Sequence, residues 1–273
     1  MERISVFLFW LALAIYALAF AMYANFFASR RHIAGSLATG MTIGGWVVHT
    51  ASLIFRGLAS GHLPGATAYE SLSAVAWLVI MAYLFVEYFS KSKVLGIFIT
   101  AINCVFLVKA WSHYQPPGPR LSILRSSLVD VHFMLIFIAS AAFTVAAGCG
   151  LLYLLQEWQM KGRRPNILFR RLPSLEVLDD VGYRAVLAGF LFFTLCVATG
   201  AIQARQVWGT IWDPIVVASA VSWSIYAFYL LLRAAAGWMG KRAAILAIIG
   251  FLCVMSIRFA IVPYVSYLHG FRG

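Results

Sequence analysis

The sequence predicts an all-α, polytopic membrane protein with about eight transmembrane helices and both termini external. The first observation is composition, because 63% of the 273 residues are hydrophobic, 11% are charged and the mean hydropathy is +0.88. A soluble domain of this length cannot bury so many apolar side chains, whereas a lipid bilayer solvates them. The second observation is that the apolar residues form long unbroken runs, without the alternating segments typical of a β-barrel.

Eight apolar runs are long enough, or nearly so, to cross about 30 Å of hydrocarbon as helices. In chain order they are residues 4–27, 39–56, 68–88, 94–111, 131–155, 182–203, 213–232 and 243–264. The first run has neither a basic leading region nor a cleavage site close behind it, which indicates a retained span. Because no internal repeat or long linker interrupts the sequence, we expect one transmembrane domain over residues 1–273.

The distribution of Lys and Arg predicts the orientation of these spans. The net charge is +12, but the basic residues lie in short loops and form no aromatic-studded basic groove, which argues against nucleic acid as a partner. By the positive-inside rule the more basic set of loops is cytoplasmic. That set contains Arg30, Arg31, Lys91, Lys93, Lys161, Arg163, Arg164, Arg170, Arg171, Arg184, Arg233, Lys241 and Arg242. The polar segment "GHLPGATAYES" at residues 61–71 is therefore predicted to be external.

Histidines concentrate toward the outer half of the predicted membrane. His132 opens the fifth predicted span and His269 follows the eighth, so helix packing can bring both above one external surface. Two neutral imidazoles can bind one iron axially. Between them lies "VWGTIWDP", whose tryptophans are typical of an interfacial aromatic belt. The same residues would also give a flat macrocycle a surface to lie on, so the pattern favours a porphyrin platform over a transport pore.

Four other features have a structural reading beside a functional one. His49, inside the second predicted span, is a candidate cofactor-binding residue, although a hydrogen bond to a neighbouring helix explains it equally well. Glu70 is expected to cap the N-terminus of the third helix. Arg258 can extend toward the interface or meet a propionate. The four cysteines lie inside predicted spans without CxxC spacing, which indicates packing rather than disulfides.

Five segments, taken together and in order, resemble the CcsA/ResC family, the membrane haem-handling subunits of system II cytochrome c maturation. The segments are "SGHLPGATAYESLSAVAW", "VHFMLIFIASAAFTVAAGCGLLYLL", "LDDVGYRAVLAGFLFFTLCVATGAIQA", "WGTIWDP" and "YVSYLHGF". The resemblance is strongest over residues 45–273, and it extends to the related HemX-like and CcmC/CcmF haem-handling proteins. It implies a haem b site on the periplasmic side of the inner, or plasma, membrane.

The resemblance also implies roles for particular residues. His132 and His269 would bind the haem iron, with a WWD-like shelf formed by Trp208, Gly209, Trp212, Asp213 and Pro214. The haem would be presented to the CxxCH motif of an apocytochrome c. The segment at residues 61–71 would help to wall this site. A ResB/CcsB-like membrane protein and membrane lipid would be the other partners. Whether the chain is itself the haem-handling subunit of a cytochrome c synthetase, or haem lyase, stays open.

Two departures from the family pattern keep other functions in view. The Trp motif is shorter than usual and lacks a Lys-Glu pair after Asp-Pro, and Leu231 stands where the family often has an intramembrane histidine. These departures favour a HemX-like, non-enzymatic regulator of haem biosynthesis as the alternative. A proton or solute transporter using His49, Asp130 or Arg258 ranks last, because intramembrane ionisable residues are few and no paired broken helices are evident.

Overall fold

In a computed structural model, the part of the chain that is described consists of eight α-helices with no strand. The structure describes residues 1–29, 32–90, 93–118, 126–161, 172–210, 212 and 214–257. The helices are α1 (Glu2–Ser29), α2 (His32–Ser60), α3 (Ala68–Ser90), α4 (Leu95–Trp111), α5 (Ser127–Lys161), α6 (Leu175–Trp208), α7 (Pro214–Ala236) and α8 (Lys241–Ser256). The predicted all-α architecture is confirmed.

Six of these helices, namely α1, α2, α3, α5, α6 and α7, are long and apolar enough to cross a membrane. Helix α4 has 17 residues, which is close to the lower limit for a span. The predicted continuation of the eighth span to residue 264 lies outside the described residues. Several helices are longer than their apolar runs, because polar ends continue the helix. In α6, the Ser174 hydroxyl caps the helix by accepting a hydrogen bond from the Val177 N–H at 3.3 Å.

The helices form two compact units, the first containing α1–α4 and the second α5–α8. The prediction of one transmembrane domain over the whole chain stays a prediction.

A heptad-like seam joins α1 and α2 in the first unit. The buried residues of α1 are spaced alternately four and three apart: Ser5, Phe9, Ala12, Tyr16, Ala19 and Tyr23. A matching stripe on α2 is buried at Gly35, Ala38, Thr42, Gly45, His49, Ser52 and Arg56. Small side chains on α2 leave space for aromatic rings of α1. A Cβ atom on Gly45, for example, would lie 2.9 Å from the Tyr16 ring.

Glu70 organises the polar segment that precedes α3. Its Oε2 accepts hydrogen bonds from the backbone N–H groups of Gly65 at 3.2 Å and Ala66 at 3.0 Å. In return, the Thr67 hydroxyl accepts the Glu70 N–H at 3.2 Å, which completes a capping box. Oε1 pairs with Arg56 Nε at 2.8 Å, and both side chains are almost fully buried. The predicted helix cap is confirmed, whereas the burial of Arg56 was not predicted.

A second buried carboxylate, Glu87, lies near the opposite end of α3. Oε2 accepts hydrogen bonds from the hydroxyls of Tyr23 at 2.9 Å and of Tyr83. Oε1 accepts from Thr39 at 2.5 Å, and Lys93 Nζ lies 4.0 Å away. Each of the four helices, or the residues just before it, therefore contributes to one polar cluster, which ties the first unit together at this end.

Aromatic rings packed on glycines form the centre of the second unit. Phe143 and Tyr226 stack with centroids 3.8 Å apart, and Phe193 meets Phe143 edge-on at 5.7 Å. A Cβ atom on Gly189 would lie 2.5 Å from the Phe143 ring, and one on Gly250 would lie 2.6 Å from the Tyr226 ring. Helices α5, α6, α7 and α8 therefore approach closely because two of them carry glycine here.

A buried ion pair near the start of α6 connects helices of the second unit. The guanidinium of Arg233 on α7 donates two hydrogen bonds to Asp179, at 3.1 and 2.6 Å. The backbone N–H of Gly240, just before α8, donates to the same carboxylate at 2.9 Å. The Tyr183 ring lies 4.2 Å from the Arg233 guanidinium. This cluster connects α6, α7 and the residue before α8. Like the two clusters of the first unit, it is centred on a buried carboxylate.

The Glu70→Ala variant should lose about 3–5 kcal/mol of unfolding free energy, because Arg56 would stay buried without its carboxylate partner. Thermal and denaturant unfolding in detergent micelles measures this loss. Asp180→Ala is the matched control, since its 2.9 Å pair with Arg184 is largely exposed and should contribute at most about 0.5 kcal/mol. Equal losses in the two variants would contradict a dominant role for the buried pair.

The Gly250→Ala variant should be destabilised by about 1–3 kcal/mol, because the added methyl group would overlap the Tyr226 ring. The control is Gly44→Ala on α2, where no atom lies within 4 Å of the new Cβ atom. This control should be neutral or slightly stabilised, since alanine favours helix more than glycine does. The same unfolding assay applies, and an unchanged stability of Gly250→Ala would show that the close packing is not needed.

Candidate functional site

His132 lies in the second turn of α5, with its side chain half-buried. Its Nδ1 atom is 3.1 Å from the Cys196 carbonyl oxygen and 3.2 Å from the Thr199 hydroxyl, both on α6. A carbonyl can only accept, so Nδ1 is assigned as the protonated nitrogen that donates. The Thr199 hydroxyl donates to Leu195 at 2.9 Å and can therefore accept from the ring. In the neutral imidazole the lone pair then resides on Nε2.

Gly200 gives the His132 ring its position against α6. A Cβ atom on this residue would lie 2.8 Å from Cε1 of the imidazole and 3.3 Å from Nδ1. Any larger residue would push the ring away from the helix and lengthen its hydrogen bond to Cys196. The sequence analysis did not identify Thr199 or Gly200 individually. Both residues belong to the tripeptide "TGA" at residues 199–201, which is part of the third family-like segment. That resemblance was the sequence signal that could have identified them.

The Trp-rich segment is the turn between α6 and α7. Helix α6 ends at Trp208, and Gly209 follows in a left-handed conformation with φ of 70°, its N–H donating to the Arg205 carbonyl at 3.1 Å. Glycine adopts this conformation at little cost, and Pro214 then opens α7 at a position that proline favours. The Trp212 side chain is 81% exposed. Asp213 lies outside the described residues.

His132 and the Trp-rich turn lie at the same end of the second unit. Helix α5 begins and α6 ends there, and Trp208 is two turns beyond Gly200, or about 12 Å along the helix axis. Helix α8 runs toward this end, because Gly150 contacts Ala244 near its start while Gly250 contacts Tyr226 further along. His269 lies outside the described residues. Pairing of His132 with His269 stays a prediction.

His49 lies in the first unit and is fully buried. Its Nε2 atom is 2.9 Å from the Ser73 hydroxyl on α3. The rings of Phe9 and Tyr16 meet the imidazole edge-on, with centroids 6.5 and 6.0 Å away. A hydrogen bond to a neighbouring helix was one of the two readings of this residue, and the structure shows it. Binding of a cofactor by His49 stays a prediction.

Leu231, at the position where the family pattern often has an intramembrane histidine, lies on the surface of the second unit. Its side chain is 62% exposed. A ligand at this position would therefore face away from the aromatic core around Phe143 and Tyr226, and away from His132 on α5. The chain lacks that ligand.

Fold and site together define a multi-pass, helical membrane protein with a histidine anchored at one end of its second unit. A family model described as cytochrome C assembly protein matches residues 66–269, so the chain belongs to that family. The chain is similar to the cytochrome c biogenesis protein CcsA of Prochlorococcus marinus (strain NATL1A), with 30% identity over 76% of this chain and 75% of the relative. It is 28% identical to the Chlorella vulgaris protein of the same name, over 75% of this chain and 76% of the relative.

Proposed function

We propose that the second unit binds haem through His132 and presents it for covalent attachment to apocytochrome c. A role in cytochrome c assembly follows from the family. The observation that supports haem binding is the anchored imidazole, whose Nδ1 donates to Cys196 and Thr199. That arrangement leaves the lone pair on Nε2, the atom that would bind iron.

The donor set around His132 fits an axial ligand to haem iron. Histidines that bind metals usually donate their other N–H to a carbonyl or carboxylate, which fixes the ring and raises its basicity. Here a backbone carbonyl and the Thr199 hydroxyl have that role, while Gly200 fixes the plane of the ring. The carbonyl and the hydroxyl are uncharged acceptors that orient the imidazole and raise its basicity.

The remaining parts of the proposed site follow from the family resemblance. His269 would be the second residue that holds the iron of haem b, and the Trp-rich turn from Trp208 to Pro214 would support the macrocycle. The site faces the periplasmic side of the inner membrane, where a ResB/CcsB-like protein and the CxxCH segment of apocytochrome c meet it.

When bound, haem supplies the vinyl groups across which each cysteine thiol adds its sulfur and hydrogen to form a thioether. The residues of the chain hold the macrocycle and orient it toward the peptide. Cys196, Thr199 and Gly200, which contact His132, are not strong acids or bases at neutral pH. Positioning therefore contributes most of the proposed effect of the protein on the reaction.

One observation favours the HemX-like regulator as a second candidate. Helix α6 ends at Trp208 and α7 begins at Pro214, so only residues 209–213 connect them. This turn is too short for the insert of the family pattern, and Ile215 and Val216 in α7 stand where the pattern has the Lys-Glu pair. A protein with this turn can hold haem without forming the full surface that receives an apocytochrome.

The detergent-purified protein, expressed with ample haem, should show a low-spin b-type optical spectrum in the oxidised and the dithionite-reduced states. His132→Ala and His269→Ala should each lose or alter that spectrum, because each removes an axial ligand. His62→Ala is the control, since this loop histidine contacts the carbonyl groups of Leu63 and Gly118. A colourless wild type, with unchanged covalent haem staining after gene deletion, would favour the regulator.

The Thr199→Val variant should bind haem about 10-fold more weakly and shift its reduction potential, because the imidazole loses one of its two Nδ1 acceptors. Haem titration and potentiometry measure the two effects. Thr199→Ser keeps the hydroxyl and should restore both values. Thr194→Val is an isosteric change on the same helix, where the hydroxyl accepts from Trp223 at 2.9 Å instead, and should leave both unchanged. Identical potentials in Thr199→Val and wild type would contradict this role.

A further inference from the structure

Three fully buried residues in the middle of the first unit have polar atoms without a hydrogen-bond partner. These atoms are the Tyr16 hydroxyl, Nδ1 of His49, and both Oδ1 and Nδ2 of Asn103. Each residue has an exposed fraction of 0%. Buried polar side chains nearly always have a partner in the protein or in ordered water. The three residues belong to three different helices, α1, α2 and α4.

Helix packing places these three residues in one layer. Helices α1 and α4 are antiparallel, because Gly96 meets the Tyr23 ring at one end and Trp111 lies 5.9 Å from Phe9 at the other. Asn103 follows Gly96 by seven residues and Tyr16 precedes Tyr23 by seven, so the two lie at the same depth. The ring of His49 is 6.0 Å from that of Tyr16. The three residues therefore lie in one layer of the first unit.

Buried serine and glutamate side chains in the neighbouring layers find their partners inside the protein. On one side, Ser5 and Ser52 exchange two hydrogen bonds, at 3.1 and 2.9 Å. On the other side, Glu87 accepts from the hydroxyls of Tyr23, Tyr83 and Thr39. The layer of Tyr16, His49 and Asn103 differs from both, which indicates that its partners are not protein atoms.

We propose that Tyr16, His49 and Asn103 form a binding site for a small cluster of ordered water molecules within the membrane. The three side chains include donors and acceptors, so the ligand must offer both. Asn103 is uncharged, and a neutral Tyr16 and His49 beside it select a neutral ligand. The rings of Phe9 and Tyr16 around His49 restrict its size. Water meets all three conditions, and buried water molecules typically bind polar groups that would otherwise lack a partner.

The site gives the first unit a hydrated polar layer between its two buried carboxylates, Glu70 and Glu87. It assigns His49 a ligand other than iron. This inference does not rest on haem binding by the second unit, so the two can succeed or fail separately.

X-ray radiolytic labelling in ¹⁸O-enriched water tests the site in the intact wild-type protein. Side chains that contact bound water are oxidised with incorporation of solvent oxygen, whereas equally buried dry side chains are not. Tyr16 should be labelled several-fold more than Tyr83, which is just as buried but donates its hydroxyl to Glu87. Labelling of Tyr16 at or below the level of Tyr83 would overturn the proposal.

Asn103→Leu gives an independent test, because the change removes the amide while keeping the branched shape and the number of heavy atoms of the side chain. If water binds the amide, the variant should unfold at a lower temperature than the wild type. A dry site predicts the opposite shift, since leucine would replace an unsatisfied polar group, and that result would overturn the proposal. Thr100→Val on the same helix face is the control, because its hydroxyl already donates to the Gly96 carbonyl at 2.5 Å. The labelling experiment requires no variant and remains decisive if Asn103→Leu fails to fold.

Discussion

Inside a bilayer, polar groups must find partners within the protein or in ordered water, and this constraint shapes both units of the chain. Helices satisfy their own backbones, but buried carboxylates and cations need specific neighbours. Glu70 therefore binds Arg56 together with the backbone before α3, and Asp179 binds Arg233 together with Gly240. Each carboxylate pairs a charged side chain with backbone N–H groups. Loop and helix termini are thus fixed by the same atoms that neutralise the charge.

Close contact between aromatic rings and glycines is a second recurring feature, and it also follows from the lipid environment. Helices that pack in lipid gain little from apolar burial, so they depend on close approach and van der Waals contact. Gly45 admits Tyr16 in the first unit, and Gly250 admits Tyr226 in the second. Gly200 likewise leaves space for the imidazole ring of His132, which packs against it. His132 is therefore held by close packing of the same kind as the core, together with its hydrogen bonds to Cys196 and Thr199.

The positions of the helices could be predicted from the sequence, because long apolar runs have one stable form in lipid. The cap formed by Glu70 could also be predicted, since a capping box depends on residues three apart. The burial of Arg56 could not, because its partners Glu70 and Gln115 come from distant parts of the chain. Thr199 and Gly200 were missed for the same reason. Their role exists only once α6 packs against the start of α5.

The anchoring of His132 and the Trp-rich turn depend on different parts of the second unit. The ligand is set by α5 and α6, through a carbonyl, a hydroxyl and the absence of a side chain at Gly200. The surface that would meet a partner is formed by the turn after Trp208, which is only five residues long, 209–213. The hydrogen bonds of the imidazole come from α5 and α6 and do not involve that turn. The length of the turn and the anchoring of His132 can therefore vary separately.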